Sequence, residues 1–381
     1  MRRLATVVLL MVVAAGVAFA GKELTTVWER SVGQGTMPPW FDNAGHYTRG
    51  FDYGKVDGHD RLYVVSRYGG SFIYILDAAT GDSLGMLDNR GLQGGTFTVS
   101  DVGVSADGKI YVCNLAVGGT FKVYAYNTEV DSPRVVISYD ATGKRLGDKI
   151  TVTGSAADNS LTIWAASANS NFLVKFTTAD SGASFTATEL DIGNTGGSAS
   201  VGPLPDGSFY WNAGGKNAIK FTAEGRQIGT IPGSVVATGS NAIRYMGNDG
   251  NNEFFVTFQF GAGNENARVV LVPAGDFTQA ETYSITPSLG NNANPNGTGD
   301  VAVQDVGGGK YRIYVLGTNN GLGAYEVDTN FLKGVYYVGA PGTAPGGGDP
   351  DYPSLKAACD ALNGRLITGD CTFFITSDLT E

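Results

Sequence analysis

A meander of four short strands that recurs along the chain leaves least freedom in what it can fold into. In the stretch Val99 to Tyr139 the strands are Asp101–Val104, Ile110–Asn114, Phe121–Tyr126 and Val135–Tyr139, with a turn at Ala106-Asp107-Gly108. Each is rich in Val, Ile, Tyr or Phe and is bounded by Gly, Asp, Asn or Pro, the pattern of a strand between turns. One such meander cannot bury its own apolar face and needs copies of itself alongside.

The copies are present. Their second strands align as Asp60-Arg61-Leu62-Tyr63-Val64, Asp107 to Val112, Asp158 to Trp164, Asp206 to Trp211, Asp249 to Val256 and Gly308 to Val315. Third strands follow at Phe72–Leu76, Phe121–Tyr126, Phe172–Phe176, Ala218–Phe221, Val269–Val272 and Gly323–Val327. A period of about 45 to 60 residues built from four strands predicts an all-β chain folded as a β-propeller. A β-sandwich of hairpins would not repeat one internal order six times. Six four-stranded blades are expected, or seven if a divergent blade lies between Pro232 and Pro295. Leu24–Arg30 reads as a lone strand, which would close the ring by joining the blade containing Ala302–Val338 and cover two sheet edges.

The ends have a different character. Residues 1–20 read as a signal peptide: Arg2 and Arg3, an apolar run from Leu4 to Val17, and Ala18-Phe19-Ala20 before Gly21. The run is short for a membrane anchor, and no later run is long and apolar enough to span. Export to the periplasm, the cell surface or the medium is the expectation. The propeller is expected over 21–339 and a Gly/Pro linker over 340–351. The start of a second, truncated domain follows over 352–381, with a helix at Leu355–Leu362 capped by Ser354 and a strand from Cys371 to Thr380. The formal charge is -10, and with no basic stripe this argues against nucleic acid as a partner. The 56 glycines and 16% charged residues suit many tight turns. Export permits a disulfide between Cys359 and Cys371, left open here because their separation is unknown, whereas Cys113 reads as a core residue.

Two resemblances follow. Residues 27 to 139, with VWERS, MPPWF, YTRGFDY, RLYVVSR and SDVGVSADGKIYVCNL, resemble a family of exported bacterial propellers known only as a domain of unknown function. This implies a propeller in a surface or secreted setting and brings no assigned activity. The tail YPSLKAACDALNGRLITGDCTFFITSDLTE is similar to the cap and first strand of right-handed parallel β-helix domains.

The first strand of each propeller blade lines the central channel, which here places Arg49, Asp101, Thr153, Ser200, Asn241 and Asp300 at the axis. Arg49 is expected between the carboxylates of Asp101 and Asp300 as a charge-assisted cluster. The plainer reading is that the cluster satisfies polar groups at the narrow end. The sharper one is a Ca²⁺ site on Asp101, Asn241 and Asp300, as in some propeller hydrolases of the lactonase or phosphoesterase type, although Arg49 would repel a cation. Asn248–Glu253 does not match EF-hand spacing. The chain has no G-x-S-x-G, and its two histidines, His46 and His59, assemble no Ser-His-Asp set. Trp40 and Phe41, after Pro38 and Pro39, would either stack on a sugar or partner at the mouth or plug the propeller's base. The sequence thus favours a monomeric, non-enzymatic binding module of a larger surface or secreted protein. Its ligand would be a glycan or a protein and it would need no cofactor, with the Ca²⁺-dependent hydrolase as alternative.

Overall fold

The computed structural model describes residues 24–249, 252–261, 265–273, 275–329, 331–345, 347–364 and 366–377. The expected signal peptide, 1–20, lies outside them. Six antiparallel sheets follow one another along the chain, each starting on an inner strand: Thr48–Val56, Phe97–Val104, Thr151–Thr153, Gly197–Pro203, Asn241–Asn248 and Gly299–Gly307. These are blades one to six of a β-propeller, and Pro232–Pro295 holds no seventh. Blade two carries an extra strand, Arg145–Leu146, on the upper part of Ile110–Val117.

The second strands show why the pattern was so legible. In Ile110–Val117, Ile110 and Val112 pack toward blade one, while Tyr111 and Cys113 pack toward blade three. In Lys310–Gly317, Tyr314 and Leu316 face blade one, while Ile313 and Val315 face blade five. Successive side chains point to opposite faces, so a strand between two neighbours carries apolar side chains on both faces. Each of the six large apolar clusters lies between two adjacent blades.

Blade six takes its fourth strand from the other end of the chain. Thr25–Ser31 pairs antiparallel with Gly321–Asp328, as Leu24–Arg30 was expected to do. Trp28 fills the seam with blade one and donates from Nε1 to the Ala78 carbonyl at 3.0 Å.

The C-terminal boundary differs from the expectation. The propeller was carried to residue 339, but the last blade strand ends at Asp328, and Phe331–Val338 pairs in parallel with Leu366–Ile375. A helix, Leu355–Gly364, connects them, started by the Ser354 hydroxyl accepting from Ala357 N at 3.1 Å. The intended linker, 340–351, is therefore a loop inside this β-α-β unit. Its ends are drawn together by Gly339 N to Tyr352 O and Tyr352 N to Tyr337 O, both 3.0 Å. The expected strand at Cys371–Thr380 begins earlier, at Leu366, and finds its partner upstream in Phe331–Val338. Cys359 and Cys371 are not bridged: Cys359 is exposed, while Cys371 packs against the cluster of Val338, Tyr352 and Ala358.

Candidate functional site

The channel is crossed by a strap. Between Arg145–Leu146 and the inner strand of blade three, Gly147-Asp148-Lys149-Ile150 runs inward and is buried throughout. Its contacts reach most of the ring. Lys149 Nζ donates to Asp300 Oδ2 of blade six at 2.7 Å and to the Arg49 carbonyl of blade one at 3.0 Å. Ile150 N donates to Asp101 Oδ2 of blade two at 2.7 Å. The Ile150 carbonyl accepts from Arg244 Nη2 of blade five at 3.2 Å. Thr151, where the strap joins its strand, donates to the Val201 carbonyl of blade four at 2.6 Å.

The axial residues read from the sequence are thus present but differently partnered. Asp101 and Asp300 lie at the axis, each almost fully buried. The cation on Asp300 is Lys149, with Arg244 4.0 Å away, and Arg49 instead approaches Asp148 at 3.8 Å. Burial first, and the Asp300 charge second, push Asp101 well above the usual carboxylate range. Asp52 is raised to about 6, also by burial first, against the opposing pull of Arg244. A side chain at Gly50 would collide with the Asp101 carboxyl; glycine there is what lets Asp101 lie across the inner strand of blade one.

These partners do not fit a calcium site. Asp101 is committed to Ile150, Asp300 to the Lys149 ammonium, and the Asn241 amide N–H to the Gly297 carbonyl. A fixed cation, Lys149, already sits on Asp300, while Asp101 Oδ1 and Asn241 Oδ1 are buried with no hydrogen-bond partner in the protein. Among the described residues no group of three or more His, Cys, Asp or Glu is arranged to hold a metal ion. Thr153 accepts from Trp164 Nε1 at 3.2 Å, and Ser200 from Ile243 N at 3.2 Å; both satisfy polar groups near the inner wall.

The aromatic pair is also reassigned. Phe41 is buried in the seam between blades one and six, and Trp40 stacks on Tyr74 at 4.1 Å, so neither ring lines the channel mouth. His46 is held by Asn319 through Nδ1 at 2.9 Å, and His59 is exposed at the start of the strand His59–Ser66.

Above the strap, at the end where the inner strands start, lies an open pocket of about 330 Å³. Arg49, Arg145, Asn169, Ser198 and Asn296 line it. Arg145 makes a two-pronged bond to Asp148, at 2.6 and 2.7 Å, and its N–H is fixed by Asn169 Oδ1 at 2.6 Å. Ser198 has φ of 50°, unusual for a residue other than glycine, and the register of its strand slips between Gly197 and Ser200. Of these, the sequence reading found only Arg49. Arg145, Asp148 and Lys149 stand together in KRLGDKI, charged residues where one turn would suffice, and that was the available signal. Arg244 was hidden because register shifts after Asn241 and after Tyr245, with Ala242 at φ 58°, make this inner strand depart from the repeat from which Asn241 was read.

The pocket's far rim depends on a buried carboxyl. Glu265 takes the Asn294 side-chain N–H at 3.0 Å, and burial raises it to about 7. Its unfolded value is near 4.3, so as pH rises from about 4.5 to 7 the unfolded chain loses this proton before the folded one does. The contribution of Glu265 to stability therefore falls across that window and is fully lost above it. Glu265→Gln is expected to raise the melting temperature by a few degrees at pH 8 and to leave it unchanged at pH 4.5. Equal shifts at both pH values would show that Glu265 is not buried protonated.

No family model matches this sequence, and no protein of curated function matches it. Solved structures match by shape. One is a DUF4623 family protein from Bacteroides eggerthii: TM-score 0.60, 17% identity, 75% of this chain and 71% of that chain covered. A protein of unknown function from Dyadobacter fermentans gives a TM-score of 0.51 at 11% identity, with 80% and 98% covered. The SapL1 lectin, solved with alpha methyl fucoside, gives 0.48 at 12%, with 76% and 95% covered. The first two share the propeller fold with this chain.

Proposed function

We propose that this propeller is an exported carbohydrate-binding module of a surface or secreted protein, and that its ligand sits in the mouth pocket. The observation that carries the reading is the closed channel. The strap seals the axis with Lys149 on Asp300, leaving above it a pocket whose size is at the low end of small-ligand sites. Guanidinium, amide and hydroxyl groups line it, the donors and acceptors that orient a polyhydroxylated ring. A protein partner would need a broad surface of about 800 Å² per side, whereas this feature is a recess. Replacing Ser198 by Trp fills the recess from a position already at its wall. Binding to an immobilised panel of neutral and acidic oligosaccharides is expected for the native protein and lost in Ser198→Trp, with circular dichroism showing that the variant keeps the native fold. A panel profile unaltered by Ser198→Trp would place the ligand elsewhere.

A further inference from the structure

The charges at the mouth are unbalanced in a way the fold does not require. Arg49, Arg67 and Arg145 lie within electrostatic reach of one another and of Asp148, and Arg49 is also within reach of Asp101. Asp148 is claimed by Arg145, whose two short bonds leave Arg49 at 3.8 Å. Arg67 stands behind Arg49 with its plane 3.7 Å over the Phe97 ring. Its Nε and Nη1 are buried with no acceptor in the protein, and Nη2 makes only a 3.4 Å bond to the His46 carbonyl. Three cations against two carboxylates, Asp148 and the fully buried Asp101, in a chain of formal charge -10, is a local excess opposite to that of the whole molecule.

That excess costs stability. The Arg49 side chain is only 11% exposed. Burial lowers its affinity for a proton, and burial together with the Arg49 charge brings Arg67 down to about 10. Groups held this way are stabilised by an anion arriving from outside. The rim next to them is aromatic. Tyr47 precedes Thr48 and Arg49, Tyr68 follows Arg67, and the two rings stack at 6.3 Å while 43% and 49% exposed. Aromatic faces beside a cationic recess match a sugar ring carrying an oxyanion.

Building on the mouth pocket as the binding site, we propose that its ligand is an acidic saccharide, whose carboxylate or sulfate is received by Arg49 and Arg145 with the charge of Arg67 behind them. Both anions offer the same planar or near-planar oxygen edge to a guanidinium fork.

The test has a part that needs no ligand. Arg49→Met keeps side-chain length and removes one unneeded buried cation, so it is expected to melt at or above the native protein, as is Arg67→Met. A fall of several degrees in both would make the arginines structural and overturn the proposal. For binding, calorimetry compares oligogalacturonides with their methyl esters, and sulfated carrageenan oligosaccharides with desulfated ones. One or both acidic members are expected to bind, with the charge-neutralised forms and the Arg49→Met protein at least about tenfold weaker. Binding should also weaken as salt rises. The arm that binds identifies the anion. Neutral forms binding as well as acidic ones, with Ser198→Trp abolishing both, would overturn the acidic class and leave the mouth pocket standing. Acidic binding that survives Ser198→Trp would overturn the pocket itself. No acidic member bound would overturn the proposal outright.

Discussion

Lys149→Met is expected to lower the melting temperature by on the order of 10 °C. The Lys149 ammonium is 2% exposed as a side chain and Asp300 0%, 2.7 Å apart. Removing one partner of such a pair leaves a buried, uncompensated charge and costs about 3–5 kcal/mol. Here the loss spreads further, because Lys149 also holds the Arg49 carbonyl and anchors a strap that touches blades one, two, four, five and six. The companion variant separates charge from packing. Adding Asp300→Asn to Lys149→Met removes the stranded carboxylate and should recover part of the lost stability, a non-additive result typical of groups in direct contact. Scanning calorimetry on the native protein, both single variants and the double variant decides the matter. A Lys149→Met protein that melts with the native one would show that the strap does not tie the ring together.

A chain that starts after Ser31 is expected to lose its folded monomer altogether. Thr25–Ser31 supplies the fourth strand of blade six and pairs along Gly321–Asp328. Without it the Gly321–Asp328 edge is unpaired, and an open edge invites pairing between chains. Trp28, 7% exposed in the seam between blades one and six, would go too. Loss of one buried Trp side chain costs about 3–5 kcal/mol, a large part of the roughly 5–15 kcal/mol that holds a protein folded. The lost ladder adds to that, as do the Tyr325–Glu29 and Arg30–Asp82 contacts. Size-exclusion chromatography should show aggregate in place of monomer, and a synthetic peptide covering residues 24–32 should restore the monomer. A shortened chain that elutes and melts as the native one does would mean that the strand is dispensable and the ring closes without it.

Both results would follow from features that the sequence discloses to very different degrees. The strand at Leu24–Arg30 was legible because an amphipathic run with no neighbour at one end of a repeat array must find an edge at the other. The six blades were legible for a similar reason. Ile110, Tyr111, Val112 and Cys113 are all apolar because the strand is buried on both faces, and the Asp- and Gly-rich turns recur because the same reversal is made six times. Asp101 and Asp300 were assigned to inner strands from the repeat, and both are fully buried there.

The errors cluster where chain-local rules stop applying. Asn241 was read off the blade repeat, and the irregular register of its strand brings Arg244 to the axis as well. Trp40 and Phe41 were expected either at the channel mouth or plugging the propeller's base, and Tyr74 and the seam between blades one and six take them up. Phe331–Val338 was counted with the propeller because it is apolar and follows a blade, yet its hydrogen bonds go to Leu366–Ile375.

What the sequence determined by itself was whatever depends on neighbours a few residues apart: strand positions, turns, the apolar faces and hence the number of blades. What the tertiary structure decided was which charges meet. Lys149 and Asp300 are 151 residues apart, and Arg49 reaches Asp148 only because blade two sends its connection inward across the channel. Hydrophobic burial is non-directional and tolerates many sequences that share a pattern. A buried ion pair demands one geometry, and closure of the ring sets that geometry after every blade is in place.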